Sequence, residues 1–312
     1  MSIQRRLFLG SLSTLALGCT PGRPSHGHSE AASPAARPGS TQLSLADLEQ
    51  DVGGRVGVWA LDTQSGQEFG QRADERFALA STFKWVLAAA VLERADRGEL
   101  ALAERVPFGP ADLLEHAPTT RAHVQEGALS VEALAEAAVV VSDNTAANLL
   151  LQKTGGPAGF TSFVRTLGDD VTRLDRMEPA LNSNESGDAR DTTSPRAMVH
   201  LMRRLLTGDT LRASSRERLL SWLVASETGK NRLRAGLPSD WKAGDKTGTG
   251  KRGATGDVAI AWPPGRGPML IACYSSESSA ELPRLEAVHA EVARRVVRAR
   301  AESVSLPSSA DP

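Results

Sequence analysis

A chain of 312 residues, 40% hydrophobic and 23% charged, is long enough and apolar enough to bury a sizeable core as one large or two interleaved domains. Its 36 basic and 37 acidic residues leave a formal charge of −1 with no long basic run, which argues against a nucleic-acid partner. Of its two cysteines only Cys273 lies in the expected folded part, so no internal disulfide is expected, and the six histidines lack metal-ligand spacing.

In chain order, residues 1–20 read as an export signal. Arg5 and Arg6 precede Leu7, Phe8 and Leu9 and an uncharged, mostly apolar stretch ending at Gly18 and Cys19, too short for a permanent membrane span. The paired arginines resemble a twin-arginine export signal, which implies a periplasmic protein. Leu17-Gly18-Cys19 also resembles a lipoprotein cleavage site, although Ala16 stands where such sites usually carry leucine. Two alternatives follow: a lipid anchor at Cys19, or loss of Cys19 with an ordinary cleaved signal. Residues 21–40, rich in Pro, Ser, Ala, Gly and His, cannot build a core and read as a disordered linker that includes His26 and His28.

The folded domain is expected over residues 41–302. Residues 44–50 have helical periodicity; 55–61 alternate as a half-buried strand, and Asp62 to Gly66 form a turn into a second strand. Ala80-Ser81-Thr82-Phe83-Lys84 leads into an apolar run, Trp85 to Leu92, that has no Gly or Pro and predicts a helix with Ser81 in its first turn. From about 110 to 225 the pattern is mostly helical, as at 131–141, 146–153 and 195–206. Strand patterns return at 241–245, 254–262 and 268–274, followed by a helix over 279–301 and a disordered Ser/Pro tail over 303–312. Strands at both ends with helices between imply an α/β fold of the α+β kind. An antiparallel sheet drawn from both chain ends is flanked by helices, with a helical lobe, about 80–225, inserted and a cleft between.

Four short motifs fall along this plan. Ser81 and Lys84, three apart on a helix, share a face; a serine hydroxyl needs a base, and a desolvated lysine can serve or can hold charge for one. Free N–H groups at the helix start suit an oxyanion. Ser142-Asp143-Asn144 follows an apolar helix; it suits a turn and N-cap, or a proton carrier (Ser142) beside a substrate-binding amide (Asn144). Arg176 to Asp191 frame a loop in which Glu178 and Asn182 can surround one water, with Arg176 and Asp191 paired across its neck. Lys246-Thr247-Gly248-Thr249 ends a strand. It suits a strand followed by a flexible turn, or a substrate site in which Lys246 is a cation for a carboxylate, Thr247 and Thr249 donate hydroxyls, Gly248 permits close approach, and the N–H groups of Thr249 and Ser81 share an oxyanion.

Ser-x-x-Lys, Ser-Asp-Asn, Glu-x-x-x-Asn and Lys-Thr-Gly, in this order and over about 41–300, resemble the class A serine β-lactamases. The resemblance implies hydrolysis of a β-lactam through a serine acyl-enzyme, without cofactor or metal, by a chain with no need to oligomerise and so expected to be a monomer. It implies Ser81 as nucleophile, Lys84 sharing in its activation, Ser142 relaying a proton to the lactam nitrogen, and Glu178 with Asn182 activating the deacylating water. Lys246, Thr247, Gly248, Thr249 and Asn144 would bind substrate. Whether Lys84 or Glu178 takes the first proton stays open. Many members carry an arginine where this chain has Thr255; here Arg232 matches an alternative arginine site for the same substrate carboxylate. His116 stands at the cleft mouth where many members have Tyr or Trp. Ala80, before the nucleophile, rules out the disulfide found there in some carbapenem-hydrolysing members. Two other readings compete: a penicillin-binding peptidase, which lacks the water-activating glutamate, and a non-catalytic envelope protein, which would have lost one of Ser81, Lys84 or Glu178.

Overall fold

The computed structural model describes residues 40–305. The expected export signal, Cys19, the linker up to residue 39 and the last part of the tail lie outside them. The described helices are α1 (Ala46–Val52), α2 (Phe83–Asp96), α3 (Pro118–Ala122), α4 (Val131–Val140), α5 (Asn144–Lys153), α6 (Gly156–Thr166), α7 (Pro195–Met202), α8 (Ala213–Val224), α9 (Leu233–Gly236) and α10 (Leu282–Ser305). The strands are β1 (Ser40–Gln42), β2 (Arg55–Asp62), β3 (Glu68–Gln71), β4 (Phe77–Ala78), β5 (Arg105–Pro107), β6 (Ala128–Ser130), β7 (Thr192–Thr193), β8 (Lys242–Thr249), β9 (Thr255–Trp262) and β10 (Met269–Ser276).

Six strands form one sheet in the order β1-β3-β2-β10-β9-β8, so segments from both chain ends pair at its centre, where Cys273 faces Val58 and Ile271 faces Ala60. The expected sheet is present with one correction: β1 joins β3 in parallel, Ser40 opposite Glu68, which makes the sheet mixed. Three residues of polar sequence beside a linker carry no strand signal, so β1 was invisible in the chain. β2 was read as half-buried, yet Val56 to Asp62 are all buried. The period of two sends Val56, Val58 and Ala60 to one side and Trp59 and Leu61 to the other, and both sides are covered. The first side packs on α1 and α10 through Leu48, Val52, Leu285, Val288 and Val292. The second meets the larger core, which contains α2, α4 and α5.

α2 is apolar all round, as a helix at the centre of a core must be, and every residue from Phe83 to Leu92 is buried, Lys84 among them. The inserted lobe is less contiguous than its sequence range suggests. α7 packs on β2 and β10 rather than on the helical lobe, and it continues as a π-helical turn, Arg203–Thr207. α10 runs to Ser305, beyond the expected end of the domain.

α10 is fastened to the sheet by a buried ion pair. Arg300 donates through Nε to Asp62 Oδ2 at 2.7 Å, and Asp62 Oδ1 accepts from the N–H groups of Gln64 and Ser65 at 2.9 and 3.2 Å, which shapes the β2–β3 turn. Replacing Asp62 with alanine strips the turn and leaves a buried guanidinium unpaired, an expected loss of about 3–5 kcal/mol. Arg298→Ala on the same helix removes a pair whose arginine is 65% exposed, and is expected to cost less than about 1 kcal/mol. Urea denaturation of the two variants checks this; equal midpoints would contradict it.

Candidate active site

The strand that feeds Ser81 is held from the far end of the 176–191 loop. β4 pairs with β7, Phe77 opposite Thr193 and Ala78 opposite Thr192, and the Leu79 N–H donates to the Asp191 carbonyl at 2.8 Å. The chain then makes one 3₁₀ turn, Ala80–Thr82, before α2 begins. Ser81 therefore lies just ahead of the α-helix rather than in its first turn. Ala80 takes φ 41°, a left-handed conformation that a surrounding structure must impose on a residue with a side chain. The turn is locked by the Thr82 hydroxyl, which donates to the Leu79 carbonyl at 2.6 Å.

Ser81 Oγ donates to Glu178 Oε1 at 3.3 Å. Lys84 Nζ reaches the same carboxylate oxygen at 3.2 Å. The expected direct neighbourhood of Ser81 and Lys84 is thus mediated by the glutamate. The ammonium is drawn elsewhere by its other acceptors: the Ser142 carbonyl at 2.8 Å, Ser142 Oγ at 3.3 Å and Asn144 Oδ1 at 2.5 Å.

Ser142-Asp143-Asn144 forms the turn and N-cap that one of its sequence readings expects. Asp143 caps α5, with Oδ1 accepting from the Ala146 N–H at 2.9 Å, and it also accepts from the Thr120 N–H at 2.9 Å. That cap fixes the corner at which Ser142, at φ 60°, and Asn144 face Lys84.

Glu178 is held at three levels. Its carboxylate accepts from Asn182 Nδ2 at 2.6 Å. Its backbone is clamped by one side chain of α5: Asn148 Nδ2 donates to the Glu178 carbonyl at 2.9 Å, and the Glu178 N–H donates to Asn148 Oδ1 at 3.0 Å. The loop neck closes as expected, with Arg176 Nε 2.5 Å from Asp191 Oδ2 and the N–H groups of Asp175 and Arg176 donating to Asp191 Oδ1 at 2.7 and 2.9 Å. Asn148 was missed in the sequence. It stands four residues after Asn144 on the same helical face, but α5 also carries Thr145, Gln152 and Lys153, and the partner of Asn148 lies 30 residues away, so nothing local marks it.

The Lys-Thr-Gly motif lies at the C-terminal end of β8, as expected, and the strand runs four residues past the expected 241–245 pattern. β8 is the sheet edge. The Gly250 N–H pairs with the Ala254 carbonyl at 2.8 Å, so the ladder's alternation turns the Thr249 N–H off that edge. Gly248 passes the 3₁₀ turn so closely that a Cβ there would lie 2.9 Å from the Ser81 nitrogen. Lys246 Nζ donates to Ser142 Oγ at 3.0 Å and to the Thr247 carbonyl at 2.8 Å. Thr247 Oγ1 donates to Thr228 Oγ1 at 2.6 Å, a partner with no sequence signal.

Arg232 is 3% exposed. It donates to the carbonyls of Gly248 and Gly256 at 2.7 and 2.9 Å and to Thr249 Oγ1 at 2.7 Å, and it pairs with Glu286 at 3.3 Å. It therefore reaches the cleft as a positive charge beneath Thr249, not as a free guanidinium fork.

Burial pushes the Lys84 ammonium below its ordinary value, against the pull of Glu178. Burial, then the Lys84 charge, pushes Lys246 down to about 7. Ser81, Ser142, Asn144, Asn182, Arg232, Thr247, Gly248 and Thr249 line one cavity of about 290 Å³, with His116 and Thr228. Lys84, Glu178 and Lys246 are buried against these residues. The arrangement offers a hydroxyl beside a carboxylate, an ammonium in contact with both that carboxylate and a second hydroxyl, and N–H donors near the first hydroxyl. That is the equipment of acyl transfer.

A family model described as "Beta-lactamase enzyme family" matches residues 41–299. The chain is 47% identical over 255 residues to beta-lactamase AST-1 of Nocardia asteroides, covering 82% of each. It is 46% identical over 251 residues to the carbapenem-hydrolyzing beta-lactamase KPC of Klebsiella oxytoca, covering 80% of this chain and 85% of that one. Among solved structures it resembles the last common ancestor of Gram-negative bacteria (GNCA4) beta-lactamase class A at TM-score 0.81 and 55% identity, over 82% of this chain and 97% of that one.

Proposed function

The chain belongs to the class A serine β-lactamases and hydrolyses β-lactams, and we propose that Ser81 opens the lactam ring and that Glu178 activates the water that releases the product. One observation carries the assignment: Ser81 Oγ, Glu178, Lys84 Nζ and Ser142 Oγ form an unbroken run of contacts at 3.3, 3.2 and 3.3 Å. Ser81 Oγ attacks the lactam carbonyl while its proton passes to the Glu178–Lys84 pair. The N–H groups of Ser81 and Thr249 hold the oxyanion. As the C–N bond breaks, Ser142 gives its proton to the leaving nitrogen and is reprotonated by Lys84. Glu178 then takes a proton from water, the oxygen attacks the ester, and Ser81 recovers its hydrogen. Asn182 donates to Glu178 at 2.6 Å, and its buried Oδ1, without a protein partner, is an acceptor for that water. Lys246, Thr247 and Thr249, with the Arg232 charge behind, receive the substrate carboxylate, and Asn144 receives the acyl amide.

The competing peptidase reading predicts an acyl-enzyme that persists. With a chromogenic cephalosporin the protein is expected to turn over repeatedly, whereas a single slow burst would favour the peptidase. Ser81→Ala should abolish acylation. Glu178→Ala should lose about 10²–10⁴ in turnover and accumulate a covalent penicillin adduct by mass spectrometry; turnover without a trapped adduct would remove Glu178 from its role.

The Lys246 cation sets a pH limit. With Lys246 down at about 7, the free enzyme loses this charge as pH rises through that value, while a bound carboxylate holds the proton on. The kcat/KM for a penicillin should therefore decline above about pH 7, and kcat only at higher pH. Lys246→Arg, whose charge does not titrate in this range, should shift the kcat/KM limb upward. Identical limbs in the two proteins would refute the assignment.

Export is proposed from Arg5 and Arg6 and the apolar stretch after them. Activity should fractionate with the periplasm in cells making the full chain and stay cytoplasmic when both arginines are lysine. Lipid labelling at Cys19 distinguishes an anchored from a released product.

A further inference from the structure

The loop that carries Glu178 is also held to the sheet, away from its neck and from Asn148. Asn182, whose side chain donates to Glu178 Oε2, has its backbone carbonyl taken by the Lys251 N–H at 3.0 Å, in the turn between β8 and β9. Two residues on, Asn184 turns its amide onto that same turn. Its Nδ2 donates to the carbonyls of Lys251 and Arg252 at 3.1 and 3.3 Å. The Ser276 hydroxyl, 3.1 Å from Nδ2, donates to Asn184 Oδ1 at 3.2 Å. An amide has two N–H donors and one acceptor oxygen, and Asn184 spends all three here. Its backbone takes φ 47°, the left-handed region that asparagine tolerates better than most residues.

The partners of Asn184 are fixed. The Gly250 N–H donates to the Ala254 carbonyl at 2.8 Å and the Ala254 N–H to the Lys251 carbonyl at 3.1 Å, and Ser276 ends β10, which pairs with β2 and β9. One side chain thus ties the loop to two places on the sheet. The seam is close: a Cβ on Gly250 would lie 3.1 Å from the Asn182 carbonyl oxygen. Glu185 and Arg252 pair across the same seam, but both side chains are half exposed, and an ion pair in that setting contributes little. The short turn Ala180–Asn182 lies between the Asn148 clamp on Glu178 and the seam at Asn184. Loosening the seam releases the Asn182 end of that turn. Glu178 Oε1, which faces Ser81 and Lys84, keeps those contacts and the clamp.

We propose that Asn184 is a positioning residue for deacylation: it latches the loop to the β8–β9 turn and so holds Asn182 where its Nδ2 steadies Glu178 and its Oδ1 meets the water. The proposal rests on the reading of Glu178 and Asn182 as the groups that activate that water. Acylation draws on groups held by other bonds. The Ser81 turn is locked by Thr82 on the Leu79 carbonyl, and Lys84 by Ser142 and Asn144. Loss of the latch therefore falls on the second half of the reaction.

The test separates the two halves with a penicillin. Asn184→Gly takes the left-handed backbone without cost and removes only the latch. Its deacylation rate constant, read by mass spectrometry as decay of the adduct after a chase, should fall about 10-fold, inside the 10² that a misplacement of about 1 Å can cost. Its kcat/KM, which reports acylation, should stay within about 2-fold of the wild type. Both constants are normalised to active sites counted by the product burst, so loss of folded protein does not enter. Asn184→Asp, which keeps the backbone but offers the two carbonyls no donor, should show the same split and serves where the glycine variant is too unstable to purify. Arg252→Ala, which removes only the surface pair, should change neither constant by more than about 2-fold. Unchanged deacylation in the latch variants, a kcat/KM that falls in step with it, or an equal loss in Arg252→Ala overturns the proposal. A Glu178→Ala protein that traps no adduct would instead overturn the reading of the loop itself.

Discussion

Two fully buried ammonium groups, Lys84 and Lys246, both donate to one hydroxyl, Ser142 Oγ, at 3.3 and 3.0 Å. Each lost its hydration on folding, and each repels the other. Burial of this kind is tolerated only where hydrogen bonds and opposite charge replace the water. Lys84 has Glu178 and Asn144, and Lys246 has the Thr247 carbonyl with Asp245 next along the strand. Both ammonium groups are nonetheless held below their ordinary values by burial. A lysine that releases its proton readily is what a relay between Ser81 and a leaving nitrogen requires. The strain of the site and its chemistry share one origin.

Much of the surrounding architecture reads as support for that pair. Glu178 belongs to a loop, and a loop carboxylate left to itself would turn to water. Here it is fastened by Asn148 from α5, by Asn182 within its own turn, and by Asp191, whose carbonyl also holds Leu79, two residues before Ser81. The loop and the nucleophile turn therefore share anchors, so displacement of one is transmitted to the other. On the opposite wall, Gly248 lets β8 pass the Ser81 turn at a distance that a methyl group would obstruct, and Arg232 ties that strand to the segment before α9.

The chain disclosed which polar residues gather at the cleft more readily than it disclosed its outlines. Four motifs in order were enough to name Ser81, Lys84, Ser142, Glu178 and Lys246, because reactive residue types at set spacings survive translation into a string of letters. Elements with mixed composition did not. The polar, glycine-bearing half of β8 fell outside the strand pattern at 241–245 because its pairing with β9 and its packing on the Ser81 turn, not its propensity, make it a strand. β1 is three polar residues whose only reason to be extended is β3. The period-two pattern of β2 revealed its two faces but not that both are covered, since α10 reaches one side from the far end of the chain and α4 and α5 build the core on the other. Asn148 and Thr228 act only through partners 30 and 19 residues away, and no local pattern announces such pairs.

The position of the carboxylate also argues between rapid and slow deacylation. Ser81, Lys84 and Lys246 would serve any enzyme that acylates itself on a lactam, and a peptidase needs no more. An ester buried in such a cleft persists unless a base reaches a water on the correct side of it. Glu178 Oε1 lies 3.3 Å from Ser81 Oγ, and Oε2 is steadied by Asn182, so a carboxylate proposed as the base would stand beside the ester before that ester forms. A base already oriented by the fold needs no rearrangement during the second half of the reaction, and that preorganisation separates a hydrolase from a trap.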